Sequence, residues 1–449
     1  MRVINTLALL SAPLILPVLA QVSEDSSAMF PLSNNTEFSF VLESVLSLSN
    51  NQGAQIGEVL RAASQIVPGD FESWYKEFLF LGDSIHAKAI AINASRFPAS
   101  ARSAYFRSST YYRYAPFFLH ANASDPRINE MGALSVADFD KAAALLPQPA
   151  IKANLSASSP NVPNGHFSVP VRFFKGQSSN KRLPTIIVGT GYDGTQEDLF
   201  HETGVEILAR GWNIITYEGP GQPTVLREQN LGFIPDWWNV VTPVVDYLAT
   251  RSDVDMNRVA LTGVSFGGQL APLAASHEPR LSAVLSIDGL SDMYSVFESQ
   301  FDPALLDLYN TGHYAEFDEA LISTIHNTSM PTQLRWILAQ SLFTFNTDSP
   351  SDWWRRLPAY AANETVLANI KFPAFIGKGE DDSTAPNQPE EMFKWLGSRG
   401  AFNLFRTDLG AGEHCQLGAE AQLAQVTLDW LADVWDNVKL PANLTSGTY

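Results

Sequence analysis

The stretch Leu261-Thr262-Gly263-Val264-Ser265-Phe266-Gly267-Gly268-Gln269-Leu270 limits what this chain can fold into more than any other. It carries the spacing Gly-x-Ser-x-Gly, in which a serine stands on a tight turn from a strand into a helix. Such a turn holds the serine in a sparsely populated backbone region, and the residues two before and two after it are crowded. Glycine removes the Cβ that would collide at both places. The flanks agree. Arg258-Val259-Ala260-Leu261-Thr262 reads as a short buried strand, and residues 268–276 read as a helix of small residues. Ser265 is therefore the candidate nucleophile.

The pattern on either side of this turn fixes the fold class. Residues 167–174, 183–188, 212–217, 281–287, 372–377 and 402–407 read as strands. Amphipathic stretches at 202–210, 235–249, 387–396 and 419–438 read as helices between or after them. The alternation implies an α/β fold with a doubly wound, mostly parallel sheet over residues 166–290 and 366–440. It breaks between residues 291 and 365, which are helical and aromatic and read as a lid inserted above the sheet. Residues 21–150 read as an N-terminal helical region, and the Pro/Asn/Ser-rich residues 150–165 as a linker.

Composition narrows the function classes. A formal charge of −18 over 449 residues, spread without long like-charge blocks, repels nucleic acid and anionic membrane surfaces. Residues 1–20 read as a cleaved signal peptide: Arg2, an apolar run over 7–16 too short to span a bilayer, and small residues ending at Ala20. No later stretch is long and apolar enough for a membrane helix, so no stable membrane insertion is expected. Glycosylation sequons at Asn34, Asn93, Asn122, Asn154, Asn327, Asn363 and Asn443 agree with passage through the secretory pathway or export from the cell. The single cysteine, Cys415, permits no intrachain disulfide.

A serine nucleophile needs a base, and the base needs an acid to orient it. His414, in Gly410-Ala411-Gly412-Glu413-His414-Cys415, lies between the last strand and the last helix and is the candidate base. The acid is expected in Gly379-Glu380-Asp381-Asp382-Ser383-Thr384-Ala385-Pro386, with Asp382 the choice, Asp381 its neighbour and Asp288 an outside alternative. Two backbone donors should receive the oxyanion: the amides of Phe266 and of Tyr192, the latter in the loop Gly189-Thr190-Gly191-Tyr192-Asp193-Gly194. That loop is Gly-rich but lacks both GxGxxG and GxxxxGK[ST], so it is not read as a phosphate cradle. Tyr111, Tyr112, Arg113 and Tyr114 in one helix, and Glu218 and Gln222 in the turn after a strand, are candidates for a substrate pocket. No metal-ligand spacing is present, so the expectation is a small-molecule substrate, no metal and no cofactor; a homodimer is compatible with the sequence.

The combination of Gly191-Tyr192-Asp193-Gly194-Thr195, Glu218-Gly219-Pro220-Gly221-Gln222, Gly263-Val264-Ser265-Phe266-Gly267-Gly268, the 379–386 loop and Gly412-Glu413-His414-Cys415 resembles a family of α/β-hydrolases with an N-terminal helical region. That family includes bacterial dihydroxypseudooxynicotine hydrolase and fungal polyketide-pathway hydrolases. The resemblance implies a Ser-Asp-His triad at Ser265, Asp382 and His414. It also implies chemistry on an ester, a lactone or a carbon–carbon bond beside a ketone. A general carboxylesterase or peptidase of the same fold is the alternative.

Overall fold

The computed structural model describes residues 29–177 and 181–437 and the backbone of residues 443–444; the leader expected over residues 1–20 lies outside them. Among the described residues, nine strands make one sheet: β1 (Ile151–Ser158), β2 (His166–Phe174), β3 (Leu183–Gly189), β4 (Asn213–Tyr217), β5 (Val254–Val264), β6 (Ala283–Ile287), β7 (Ala374–Gly379), β8 (Gly400–Phe405) and β9 (Asn443–Leu444). Their order is β1-β2-β4-β3-β5-β6-β7-β8-β9. β1 and β2 pair antiparallel with each other, and β2 pairs antiparallel with β4; every later pairing is parallel. The parallel strands are covered on both faces, which is why β3, β4 and β6 read as continuous apolar runs and are buried throughout.

Residues 151–158 were expected in a linker and instead form the edge strand β1, in full register with β2 from Ile151↔Phe173 to Ser158↔His166. Residues 151–158 alternate apolar with polar, and Ala153, Leu155 and Ala157 are the less exposed positions, but the Pro, Asn and Ser residues around the run gave it the look of a linker.

Among the described residues, five α-helices precede the sheet: α1 (Thr36–Ser47), α2 (Ile56–Ala63), α3 (Phe71–Ala91), α4 (Pro98–Tyr114) and α5 (Pro126–Ala144). Their starts are written in the sequence. Asn35, Asp70 and Asp125 accept from first-turn amides of α1, α3 and α5, and Pro98 opens α4. Within the α/β part lie α6 (Gln196–Leu199), α7 (Val205–Ala209), α8 (Pro223–Gln229), α9 (Trp238–Ala249) and α10 (Gly267–Ala275). A π turn over Phe200–Gly204 joins α6 to α7, so this helical stretch begins well before the expected residue 202. Helix α8 continues the Glu218–Gln222 turn and was not expected. Between β6 and β7 stand α11 (Met293–Gln300), α12 (Pro303–Asn310), α13 (Tyr314–His326), α14 (Thr332–Phe345), α15 (Pro350–Arg356) and α16 (Glu364–Leu367). Helices α17 (Gln388–Leu396) and α18 (Glu420–Trp435) complete the fold.

Three apolar cores follow from this arrangement. Phe106, Phe139, Phe174, Phe200, Phe375 and Trp430 pack on one side of the sheet. Tyr192, Phe233, Trp237, Phe266, Phe345 and Trp353 join the other side to the α11–α16 segment. The N-terminal helices keep a core of their own around Phe38, Trp74, Phe78, Tyr111 and Phe118. Trp74 is 0% exposed, packs against Phe38, Phe78 and Phe118, and donates from Nε1 to the Tyr114 carbonyl at 2.8 Å. Trp74→Ala removes both the volume and that donor. It should destabilise the protein by about 3–5 kcal/mol. Chemical denaturation checks this; a midpoint equal to that of the wild type would contradict an independent N-terminal core.

Candidate active site

Strand β5 ends at Val264 and delivers Ser265 into a left-handed backbone conformation, φ 60°. The glycines around it are sterically required. A Cβ on Gly263 would stand 1.9 Å from the Gly267 carbonyl oxygen, and one on Gly267 would stand 2.7 Å from the Thr190 carbonyl oxygen. Ser265 therefore sits at the carboxyl edge of the sheet with its hydroxyl beside the loop that follows β3. The serine carbonyl accepts from the Gly268 amide at 2.7 Å as α10 begins.

Three neighbouring strand ends bring the partners. The loop after β8 carries His414, whose Nε2 is 3.0 Å from Ser265 Oγ. The loop after β7 carries Asp382, whose Oδ2 is 2.8 Å from His414 Nδ1. The Thr384 amide donates to the other Asp382 oxygen at 2.8 Å and fixes the carboxylate plane. Asp381 is exposed, and only its amide is engaged, donating to the Gly412 carbonyl at 2.9 Å. Asp288, at the end of β6, occupies a third position: Oδ2 lies 3.5 Å from His414 Nδ1. It accepts from the amides of Gly379 (2.9 Å) and Cys415 and from Gln416 Nε2 (3.0 Å). Asp288 thus ties the β6 and β7 ends to the histidine loop, a task the sequence did not reveal.

The loop after β3 lies against the serine. A Cβ on Gly191 would stand 2.7 Å from the Phe266 amide nitrogen and 2.8 Å from Ser265 Cβ. The amides of Phe266 and Tyr192 enter no hydrogen bond among the described residues. The arrangement offers a hydroxyl, an imidazole, a carboxylate and two unengaged amides at one point, the inventory that acyl transfer needs.

Residues 168–416 match the X-Pro dipeptidyl-peptidase (S15) family. The chain belongs to that family. It is similar to hydrolase LUC6 of Fusarium sp, 29% identical over 426 residues that make up 91% of this chain and 98% of the relative. It is also similar to 20-hydroxy-prefusarin hydrolase FUS2 of Gibberella moniliformis, 28% identical over 410 residues, 88% of this chain and 95% of that one. Among solved structures, 2,6-dihydroxy-pseudo-oxynicotine hydrolase superposes with a TM-score of 0.64 at 21% identity, covering 90% of this chain and 99% of that one. The family resemblance read from the motifs holds, and this S15-family chain is a hydrolase with the α/β-hydrolase fold and an N-terminal helical region.

The expected pocket residues of the S15-family chain have other duties. The Tyr111 hydroxyl donates to Glu58 at 2.7 Å and accepts from the Gln55 amide at 3.0 Å, inside the N-terminal core. Tyr112 donates to Asp83 at 2.9 Å, and the Tyr114 ring packs on Phe117. Glu218 is fully buried and accepts from the amides of Gln196 (3.0 Å) and Thr224 (2.6 Å), so its carboxylate fastens two helix starts. Gln222 accepts from the Gly219 amide and donates to the Thr190 carbonyl, both at 2.8 Å. Arg113 pairs with Asp198 at 3.1 Å and donates to the Asp193 carbonyl at 2.5 Å. The hydrogen bonds named here are all made within the protein, several of them to residues distant in sequence. Ligand atoms of Asp288, His414 and Cys415 lie within 4.8 Å of one another, closer than their spacing implied. Both Asp288 oxygens already accept N–H donors, and His414 is shared by Ser265 and Asp382, so the trio is bonded within the site.

Electrostatics separate the two carboxyls. Burial pushes Asp288 up to about 6, with the Asp382 charge adding to the effect. Burial also opposes ionisation of Asp382, but the His414 charge and the hydrogen bonds from His414 and Thr384 outweigh it and hold Asp382 below its ordinary range. Burial works against a charged His414 as well, yet the neighbouring Asp382 carboxylate lifts it well above the ordinary 6.5. Burial pushes the Cys415 thiol up to about 12, so a neutral thiol, not a thiolate, faces the imidazole near neutral pH. It follows that His414 should titrate above 6.5 and that Asp382→Asn should move its midpoint downward. NMR titration of the His414 ring measures both; a wild-type midpoint at or below 6.5 would contradict the assigned dominance of Asp382.

Proposed function

We propose that this chain is a serine hydrolase acting through Ser265, His414 and Asp382. The single observation that carries the reading is the continuous row Ser265 Oγ–His414 Nε2 at 3.0 Å and His414 Nδ1–Asp382 at 2.8 Å. Ser265 Oγ attacks a carbonyl carbon while His414 Nε2 takes the hydroxyl proton. Asp382 holds the tautomer that leaves Nε2 free to accept, and then faces the imidazolium. The oxyanion receives the amides of Phe266 and Tyr192. The proton on Nε2 passes to the leaving atom, an alkoxide oxygen or the carbon beside a ketone. Water, deprotonated by the same nitrogen, then frees the acyl group and restores Ser265.

The substrate in this proposal is a polyketide-like secondary metabolite of a fungal biosynthetic pathway, cleaved at an ester, a lactone or a ketone-adjacent carbon–carbon bond. The relative FUS2, a 20-hydroxy-prefusarin hydrolase, supports that class. A general carboxylesterase or peptidase is the second reading, and the X-Pro dipeptidyl-peptidase description of the matching family is what favours it. Secretory passage with N-glycosylation is also proposed. Asn34, Asn93, Asn122, Asn154 and Asn363 are exposed and Asn327 is half-buried, while the side chain of Asn443 is outside the described residues.

Purified protein should react with a fluorophosphonate at Ser265, and Ser265→Ala should not. With any turned-over substrate, that variant should lose roughly 10⁴- to 10⁶-fold in kcat. Equal labelling of both proteins would sink the serine mechanism. A panel of lactones, β-diketones, aryl esters and Xaa-Pro p-nitroanilides separates the two substrate readings, fast Xaa-Pro cleavage favouring the peptidase. A mass shift on N-glycosidase treatment of the native protein is expected; its absence would remove the secretory proposal.

A further inference from the structure

The loop after β3 has every carbonyl from Thr190 to Asp193 tied by a side chain. Gln222 Nε2 donates to the Thr190 carbonyl at 2.8 Å and to the Gly191 carbonyl at 3.4 Å. Gln340 Nε2 donates to the Tyr192 carbonyl at 3.0 Å. Arg113 Nη2 donates to the Asp193 carbonyl at 2.5 Å. In a trans peptide the C=O and the next N–H point in opposite directions, so Gln222 at the Gly191 carbonyl also sets where the Tyr192 amide points, and Gln340 and Arg113 anchor the two peptides that follow it. Gly191, between two of these anchored carbonyls, lies directly against Ser265 and Phe266.

The three donors come from three parts of the chain. Gln222 follows β4, Arg113 projects from α4 among the N-terminal helices, and Gln340 projects from α14 above the sheet. Gln340 is 3% exposed, and its side chain also meets that of His120. A buried side-chain amide is costly to keep unless it is bonded, and its one donated bond is to the Tyr192 carbonyl. The Arg113 guanidinium is held for its bond to Asp193 by Asp198 at 3.1 Å.

We infer that Gln340 and Arg113 are positioning residues for the oxyanion-binding loop. Stabilisation of the anion at Ser265 then requires both the N-terminal helices and the α11–α16 segment to be docked, although neither supplies a group that touches the reacting atoms. The inference rests on the serine mechanism proposed above.

The test measures the second-order rate at which a fluorophosphonate reacts with Ser265 in the full chain, because its phosphoryl oxygen occupies the oxyanion position. Gln340→Met keeps volume and removes the donor; Arg113→Lys keeps charge and removes the planar second donor. Each should melt cooperatively yet react roughly 10- to 100-fold more slowly than the wild type. The pH midpoint of the reaction should not move, since the His414–Asp382 pair is untouched. Wild-type rates in a folded Gln340→Met protein would overturn the inference, as would a slowed reaction with a shifted midpoint, which assigns the loss to the histidine. If Arg113→Lys does not fold, Gln340→Met decides alone. A wild type that fails to react removes the parent mechanism instead, separating the two failures.

Discussion

The site is built on a contact that only backbone can make. The elbow, the start of α10 and the loop after β3 approach so closely that side chains at residues 263, 267 and 191 are sterically forbidden. Parallel pairing of β3 with β5 sets Gly189 opposite Gly263 and so brings the two loops to the same level at the sheet edge. Once that register is fixed, the serine, the amide after it and the amides of the facing loop move as one unit. The loops after β6, β7 and β8 need only reach across adjacent strand ends to meet it, which is why ligand chemistry gathers at this edge in folds of this kind.

Strain is concentrated at the same place. Of nine non-glycine residues with positive φ among those described, four are Ser265, Asp288, Cys415 and Gln416. Each such residue costs on the order of 1–3 kcal/mol and persists only when its surroundings over-determine it. Asp288 shows how. Its carboxylate takes donors from Gly379, Cys415 and Gln416, so one buried group holds the ends of two strands and both strained residues of the histidine loop. The aim of His414 at Ser265 is held by that bonding together with the Asp382 contact to the ring.

What was legible in the sequence was local. The elbow needs five consecutive residues, and the central strands announce themselves as apolar runs because both faces are covered. The order Ser, Asp, His along the chain follows from strand order, and it brought residues 265, 382 and 414 into view without coordinates. What was hidden depends on pairs far apart in sequence. Tyr111 looked like a pocket residue because its partner Glu58 lies on another helix. Glu218 and Gln222 looked like groups at a pocket mouth because nothing in their own segment says that Gln196, Thr224 and Thr190 will occupy them. β1 was missed although residues 151–158 alternate apolar with polar, because the Pro, Asn and Ser residues on either side made the whole stretch read as a linker.

Two carboxylates face one imidazole here, and the geometry decides how they share it. Asp382 is nearer to Nδ1, is wedged by the Thr384 amide and keeps a charge that the imidazole stabilises. Asp288 is further away and its oxygens are spent on backbone and amide donors, so the proton that like charges require goes to it more readily. The division follows from where the hydrogen-bond donors stand, and it could not be inferred from residue type, since both are aspartates at the ends of neighbouring parallel strands. The acid that orients a histidine is thus selected by its competitors for hydrogen bonds as much as by its distance from the ring.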